Sequence, residues 1–266
     1  MSVERSPLGK SSDYPQQYDP GLLFPVARAE NRVKLGIEGQ WPWYGEDHWT
    51  AYELSWLSPK GKPQVAVAEF IFPAHSANII ESKSLKLYCN SLNQTKFESV
   101  EQLRETIAKD LSAAAGAEVK VEWFEGTISA PNYQLLDELD IEVKHYQPAP
   151  ELLMLKSQQQ VSKQLVSHLL KSNCPVTGQP DWASIYIDYQ GREINEAGLL
   201  AYIISYRQHS DFHEHCVERI FTDLLNTCQP DKLTVCARYV RRGGLDINPV
   251  RSTEADFYFI GRTIRQ

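Results

Sequence analysis

The sequence lacks the features that mark membrane, secreted and nucleic-acid-binding proteins. No apolar run approaches the roughly 20 residues that span a bilayer, and the first ten residues contain no apolar stretch typical of a secretory signal. Lys and Arg number 27 against 34 Asp and Glu, so the net charge is -7, whereas phosphate backbones require concentrated positive charge. No G-x-G-x-x-G follows a predicted strand, so we expect no Rossmann-type cofactor site.

Cysteine is scarce and forms no disulfide or metal-binding pattern. The five cysteines stand at 89, 174, 216, 228 and 236, with no Cys-x-x-Cys pair among them. An odd number of such thiols is typical of a reducing compartment, so we expect a cytoplasmic protein. With 266 residues, of which 42% are hydrophobic, the chain is long enough for one large domain or two of ordinary size.

The hydrophobic pattern predicts the same order of strands and helices in both halves of the chain. In the first half we expect strands at 50–57 and 65–72, helices from Leu85 and from Val100 to about Gly116, and a strand at 119–124. In the second half we expect strands at 164–170 and 182–189, helices at 199–206 and 217–228, and strands at 233–240 and 245–250.

The two halves can be laid on each other as a repeat. A shift of 114 places Ile80, Leu85, Tyr88 and Ser91 on Ile194, Leu199, Tyr202 and Ser205, and a shift of 117 places Val100, Leu103 and Ile107 on Val217, Ile220 and Leu224. The pattern indicates a duplicated ββααββ unit. We therefore predict an N-terminal extension at 1–48 and two modules at 49–147 and 148–266, joined near Gln147–Pro150.

A cysteine and an aspartate stand on one short loop, Ser172–Asp181. Pro175 and Pro180 stiffen this loop because proline fixes φ and removes a backbone donor. A stiff loop between two strands could hold the Cys174 thiol and the Asp181 carboxylate in one arrangement. The alternative is a buried, inert cysteine in a hairpin, the usual outcome for a lone Cys. The polar cluster 211–216 further along the chain favours a reactive thiol.

A second polar run, Glu81–Lys86, lies where a predicted strand gives way to a helix. We expect Ser82 or Ser84 to cap that helix. The N–H groups at its start, with Lys83 and Lys86 nearby, would attract an anion such as a phosphate. The alternative is a plain capped helix with solvated lysines, which is the usual case for so short a run.

Four motifs in this order resemble the signatures of a known family. They are Glu81–Tyr88, Cys174–Asp181, Phe212–Glu214 and Arg242–Asp246. Together they resemble NADPH-dependent 7-cyano-7-deazaguanine reductases, the nitrile reductases of queuosine biosynthesis, in their long two-module form. The likeness covers nearly the whole chain. Asn195–Gly198 stands where the second module would repeat the Glu-Ser-Lys-Ser motif, so that motif occurs once.

The resemblance implies an α+β protein of the tunnelling fold. Each module would pair an antiparallel four-stranded sheet with two antiparallel helices on one face, and modules would associate into a barrel. It also implies reduction of a nitrile to a primary amine with two NADPH. The Cys174 thiolate would form a thioimide with the nitrile carbon, and Asp181 would donate the proton. For that role the pKa of Asp181 would have to be raised, which burial beside Trp182 could do.

The family's contacts map residue by residue onto this sequence. The resemblance implies that the base is held by His213 and Glu214, with Ile80, Glu81 and Ser82. A single carboxylate such as that of Glu214 can accept the adjacent N–H donors of a deazaguanine in bidentate fashion. The implied NADPH contacts are Ser82, Lys83, Arg242 and Gly243. We expect a symmetric homodimer, the commonest closed assembly.

Three other functions compete with this interpretation. A zinc-dependent pterin or purine cyclohydrolase of the same fold would use Cys174, His213 and His215 as ligands, although no single segment carries a closely spaced Cys/His set. A cysteine-dependent nitrile or amide hydrolase would let water attack the thioimide. A non-catalytic nucleobase-binding module would bind the base and consume no NADPH.

Overall fold

The computed structural model describes residues 14–37, 43–124, 126, 128–129 and 131–266. By contacts within the chain it divides into two compact units: the first comprises 1–38, 46–126 and 241–247, and the second comprises 39–45, 127–240 and 248–266. The extension and two modules proposed from the sequence repeat stay a prediction. Residues 1–10, on which the expectation about a secretory signal rests, lie outside the described residues.

The first unit packs helices against an antiparallel sheet in the order β5-β3-β2. Its elements are β1 (Pro25–Ala27), α1 (Ala29–Lys34), β2 (Tyr44–Leu57), β3 (Pro63–Pro73), β4 (Asn78–Ile80), α2 (Ser82–Ser91), α3 (Val100–Ala115) and β5 (Lys120–Trp123). The short strands β1 and β4 pair separately. The sequence pattern did not reveal β1 and α1, which lie in a stretch without a clear hydrophobic period.

Local sequence explains why these elements form. Ser99 caps α3 by accepting a hydrogen bond from the N–H of Gln102, and Gly116 ends the helix with φ 71°. Residues at helical spacing on α3, among them Leu103 and Ile107, are fully buried. They share one core with alternate residues of the strands, including Phe70, so the helices cover one face of the sheet.

The second unit has the complete ββααββ order. Its elements are β6 (Gln134–Leu135), β7 (Leu155–Asn173), β8 (Pro180–Ile194), α4 (Glu196–Ser205), α5 (His213–Cys228), β9 (Lys232–Tyr239) and β10 (Leu245–Ser252). The sheet order is β10-β9-β8-β7-β6, antiparallel except for the two residues of β6. Strands β7 and β8 extend well beyond their predicted ranges.

The predicted fold class, α+β with antiparallel sheets and paired helices on one face, is confirmed. In the first unit only β5 follows the helices. The fourth place in that sheet, beside β2, is taken by the start of β10, where the N–H of Tyr52 donates to the carbonyl of Gly244 at 2.9 Å.

The two units share a tyrosine–aspartate hydrogen bond at matching places, but the second alignment predicted for the repeat was wrong. The Tyr88 hydroxyl donates to Asp110 at 2.7 Å, and the Tyr202 hydroxyl donates to Asp223 at 2.6 Å. The tyrosines are 114 residues apart, as predicted, whereas the aspartates are 113 apart. Helices α3 and α5 both have 16 residues and end in a left-handed residue, which is Gln229 with φ 50° in α5. The helices therefore align at a shift of 113, not 117.

Candidate active site

Cys174 opens a tight loop between β7 and β8. Its N–H donates to the carbonyl of Gln179 at 2.9 Å, and the N–H of Gly178 donates to the carbonyl of Cys174 at 3.0 Å. The first bond continues the ladder of the hairpin by one step. The cysteine is only 3% exposed, so the loop holds a buried sulfur close to the surface of the unit.

Strand register places the thiol and the carboxylate on one face of this hairpin. Ser172 lies opposite Asp181 in the ladder, and Cys174 follows Ser172 by two residues. Because alternate residues of a strand share a face, all three side chains point the same way. Residues in this diagonal relation have Cα atoms about 7–8 Å apart. All three are buried, so the register sets the Cys174 and Asp181 side chains on the same buried face of the hairpin.

The first turn of α5 contributes a histidine to the same face. The His213 Nε2 lies 3.4 Å from Asp181 Oδ2. Its ring stacks on Tyr239 with centroids 3.7 Å apart and planes 5° apart. Tyr239 lies opposite Ala183, two residues from Asp181, and so occupies the same face. Asp181, His213 and Tyr239 form one contiguous cluster.

A short segment before α5 fixes where that helix begins. The N–H of Asn173 donates to the carbonyl of His209 at 2.8 Å, and the N–H of Asp211 donates to the carbonyl of Asn173 at 3.1 Å. The Asp211 carboxylate contacts His215 Nδ1 at 2.8 Å. Burial alone would raise the pKa of Asp211, but the nearby His209 and the hydrogen bond with His215 outweigh it and lower the pKa below its usual range. The end of β7 and the start of α5 are therefore tied together.

Glu214 and Cys216 lie on the same helical turn and are buried. Burial, followed by the charge of Asp211, raises the pKa of the Cys216 thiol well above its ordinary value. Burial also raises the pKa of Tyr239, and the nearby Cys216 and Asp181 raise it further. Both groups are therefore uncharged at neutral pH, and they provide a neutral lining beside Asp181.

In the first unit, Glu81 itself caps α2, which corrects the prediction of a serine cap. Its Oε1 accepts from the N–H of Lys83 at 2.6 Å and its Oε2 accepts from the N–H of Ser84 at 2.9 Å. The Ser84 hydroxyl instead donates to the Glu81 carbonyl at 2.6 Å. Burial raises the pKa of Glu81, while these N–H groups oppose the rise. Ile80 and Glu81 are buried, and Ser82 is half-buried.

The first unit also contains a cavity of about 550 Å³. Lys83, Lys86 and Gly243 line it, together with Glu53 and Asn90. A Cβ placed on Gly243 would lie 2.2 Å from Lys86 Nζ, so the glycine leaves room for the lysine. Two ammonium groups and a bare backbone fit the phosphates of a dinucleotide. Of the predicted NADPH contacts, Lys83 and Gly243 line this cavity, whereas Ser82 and Arg242 do not.

Sequence reasoning missed Ser172 and Tyr239 as members of the cluster. Ser172 was within reach of a strand-register argument, since it stands two residues before Cys174. Tyr239 gave no such signal, because only the pairing of β8 with β9 brings it to Asp181. Cys89 is half-buried at the cavity of the first unit, whereas Cys228 and Cys236 are buried.

Within the described ranges, no three His, Cys, Asp or Glu side chains are grouped to hold a metal ion. None of the helices that the structure describes is long and apolar enough to cross a membrane.

Comparisons with known proteins agree over most of the chain. Residues 14–123 match the family described as nitrile reductase, 7-cyano-7-deazaguanine-reductase N-term, and residues 180–256 match the family described as QueF-like protein. The NADPH-dependent 7-cyano-7-deazaguanine reductase of Bordetella avium is 58% identical over 261 residues, covering 95% of this chain and 94% of its own length.

The protein of the same name from Bordetella pertussis is 55% identical over 258 residues, with the same coverage of both chains. A solved structure, that of the archaeosine synthase QueF-Like in the apo form, is 17% identical, with a TM-score of 0.32. It covers 39% of this chain and all of its own.

Proposed function

Since the chain belongs to the family of NADPH-dependent 7-cyano-7-deazaguanine reductases, we propose that it reduces the nitrile of 7-cyano-7-deazaguanine to the primary amine of 7-aminomethyl-7-deazaguanine in tRNA queuosine biosynthesis. The reaction consumes two NADPH and two protons for each nitrile. The observation that carries the proposal is the buried Cys174 thiol on the same hairpin face as Asp181, beside the first turn of α5. The zinc-dependent cyclohydrolase is not favoured, because the relatives are named as reductases.

Cys174 acts as the nucleophile. Its sulfur forms a bond to the nitrile carbon, one π bond of the nitrile breaks, and the nitrogen takes a proton, which gives a thioimide. Asp181 supplies that proton from the same face of the hairpin. The C–S bond breaks again when the carbon has accepted its first hydride, which returns the thiolate. Burial of the Cys174 and Asp181 side chains supports the assignment, because water would hydrolyse the thioimide.

His213 and Glu214 hold the base beside this loop. His213 pairs with Asp181 and lies flat on Tyr239, so its ring has a fixed plane. Glu214, buried in the first turn of α5, accepts the adjacent N–H donors of the deazaguanine. Ile80, Glu81 and Ser82, at the end of β4 and the start of α2 in the first unit, are the other substrate contacts of this proposal.

NADPH, when bound, supplies the two hydrides that convert the thioimide carbon into the amine carbon. Lys83 and Lys86 hold its phosphates by charge in the cavity that Gly243 opens beside them. Ser82 and Arg242 complete the cofactor contacts. The cavity and its two lysines support this assignment, since phosphate groups pair favourably with ammonium groups.

The chain forms a symmetric homodimer and acts in the cytoplasm. Homodimers with two-fold symmetry are the commonest closed assemblies. All five cysteines are free thiols, which suits a reducing compartment. Sedimentation of the purified protein at several concentrations tests the dimer directly.

One experiment tests the central step. Wild-type protein mixed with 7-cyano-7-deazaguanine, without NADPH, should gain the mass of one substrate per chain. Cys174→Ala should gain no mass, while still binding the base in calorimetry. Cys228→Ala is a matched control, because this buried thiol lies at the far end of α5 and burial raises its pKa to about 11.

Four outcomes would contradict the proposal. A mass gain in Cys174→Ala would assign the nucleophile elsewhere. An acid product in place of the amine would support the hydrolase, and binding without NADPH oxidation would support the nucleobase-binding module. Stoichiometric zinc in the purified protein would support the cyclohydrolase.

A further inference from the structure

We propose that Gln266, which touches none of the reacting groups, is a positioning residue for the pair formed by Asp181 and His213. It acts through Tyr239, on whose ring His213 is stacked. This inference rests on the proposed function, because that function gives Asp181 and His213 their roles in nitrile reduction.

The backbone of Tyr239 needs partners that the sheet does not provide. The N–H of Val240 donates to the carbonyl of Trp182 at 2.8 Å, so Val240 faces β8 and the preceding residue turns its N–H and C=O away from that strand. On the other side, regular pairing of β9 with β10 covers only 234–236. Buried backbone groups require hydrogen bonds, so other groups must replace the ladder at Tyr239.

Two side-chain amides take the place of the missing strand. Asn248 Oδ1 accepts from the N–H of Tyr239 at 3.0 Å, and Gln266 Nε2 donates to the carbonyl of Tyr239 at 3.0 Å. The same Nε2 donates to Asn248 Oδ1 at 2.8 Å. Both backbone groups of Tyr239 are therefore held by side chains.

Both the oxygen and the nitrogen of the Gln266 side-chain amide make hydrogen bonds. Its Oε1 accepts from Arg238 Nε at 2.7 Å and from the N–H of Thr263 at 3.0 Å, while its Nε2 makes the two bonds toward Tyr239 and Asn248. Gln266 is 7% exposed. A carboxylate in its place would keep the two acceptor bonds, but it would set oxygen against the carbonyl of Tyr239 and the Oδ1 of Asn248.

The path from Gln266 to the proposed acid has two further contacts. The ring of Tyr239 lies 3.7 Å from that of His213, and His213 Nε2 lies 3.4 Å from Asp181 Oδ2. A shift of the Tyr239 backbone therefore tilts the surface on which His213 rests. Misplacement of reacting groups by about 1 Å can cost about a hundred-fold in rate.

The test compares Gln266→Glu with a control on the same segment. Arg265→Ala is the control, because the hydrogen bonds of Arg265 Nη1 run to the carbonyl of His168 and to the hydroxyl of Ser184. In Gln266→Glu, kcat and the rate of Cys174 adduct formation should fall about ten- to a hundred-fold, with the KM for NADPH unchanged. Arg265→Ala should stay within about two-fold of wild type. Equal losses in both variants would overturn the proposal, because they would reflect general loosening of this segment.

Two measurements keep the idea testable if Gln266→Glu folds poorly. The first is the milder Gln266→Asn, which keeps the amide but shortens its reach. The second is a double-mutant cycle that combines Gln266→Asn with Tyr239→Leu, which removes the stacked ring. The double variant should be no slower than Tyr239→Leu alone. Rate losses that multiply would show that Gln266 acts independently of Tyr239, and the proposal would then be wrong.

A readout without turnover separates this inference from the proposed function. Stacking on Tyr239 displaces the ring-proton resonances of His213 in the NMR spectrum, and Gln266→Glu should shift them while Arg265→Ala should not. The resonances can be assigned from their absence in His213→Gln. If wild-type protein fails to reduce the nitrile, the proposed function fails, yet the shift still reports on Gln266. Unchanged His213 resonances in Gln266→Glu would overturn the inference itself.

Discussion

Gly243 lies close to the end of the Lys86 side chain. Replacing Gly243 by alanine therefore tests whether Lys86 holds the ligand in the cavity of the first unit. In Gly243→Ala the new Cβ would lie 2.2 Å from Lys86 Nζ and 2.9 Å from its Cε. The backbone at Gly243 has φ +60°, which costs a residue with a side chain about 1–2 kcal/mol. Because the lysine end is flexible, the ammonium moves away, and the fold survives with a modest loss of stability.

The size of the effect follows from that displacement. To reach an ordinary contact of 3.4 Å, the ammonium must move by about 1.2 Å. A charge pair about 4 Å apart near a protein surface gains about 4 kcal/mol, and at about 5.2 Å it gains about 1 kcal/mol less. Since 1.4 kcal/mol corresponds to a factor of ten, the KM for NADPH should rise about five-fold.

Steady-state kinetics with each substrate varied in turn measures this change. The KM for the nitrile and the rate of Cys174 adduct formation should stay at wild-type values. Gly36→Ala is the control, because Gly36 has φ +72° with no atom within 4 Å of the added Cβ, so it carries the same strain and no steric conflict. If Gly243→Ala and Gly36→Ala have the same KM for NADPH, Lys86 does not hold the cofactor.

Two further variants test the division of labour. Asp181→Asn should bind the base but form the adduct and the amine about two to four decades more slowly, because it removes a general acid; stopped-flow turnover near the wild-type rate would take Asp181 out of the mechanism. Lys83→Ala should raise the KM for NADPH, and the ratio to wild type should shrink as added salt screens the charges. Loss of the adduct in Lys83→Ala, with NADPH affinity unchanged, would contradict the assignment.

The Cys174 site shows how far local sequence signals reach. Two prolines and flanking β-rich segments predicted a stiff hairpin loop, and hairpin register alone then places Asp181 and Cys174 on one face. Tyr239 enters the cluster through the pairing of β8 with β9. That pairing depends on tertiary packing, which no local pattern records.

The alignment of the two halves failed for a different reason. A shift of 117 matched Val100 to Val217 by residue identity, whereas the helices align by their ends and by the Asp110 and Asp223 partners of the tyrosines. Apolar residues recur every three to four positions, so a helix slipped by one turn still shows a matching pattern. At the corrected shift of 113, His213 aligns with Val100, and each is the first residue of its helix. The proposed substrate residue thus occupies a position that is apolar in the first unit.

Glu81 decides how the first unit can recognise a phosphate. The sequence left two alternatives, a plain capped helix with solvated lysines or an anion site at the N–H groups of α2 with Lys83 and Lys86 nearby. The carboxyl group of Glu81 already accepts from the N–H groups of Lys83 and Ser84, so those two donors are engaged within the protein. In the proposed function, a phosphate in the neighbouring cavity would therefore be held by the ammonium groups of Lys83 and Lys86, which line it. Recognition by such mobile point charges tolerates small shifts of the ligand but weakens steeply with salt. The salt dependence of NADPH binding therefore shows whether the two lysines bind the phosphate or are only solvated.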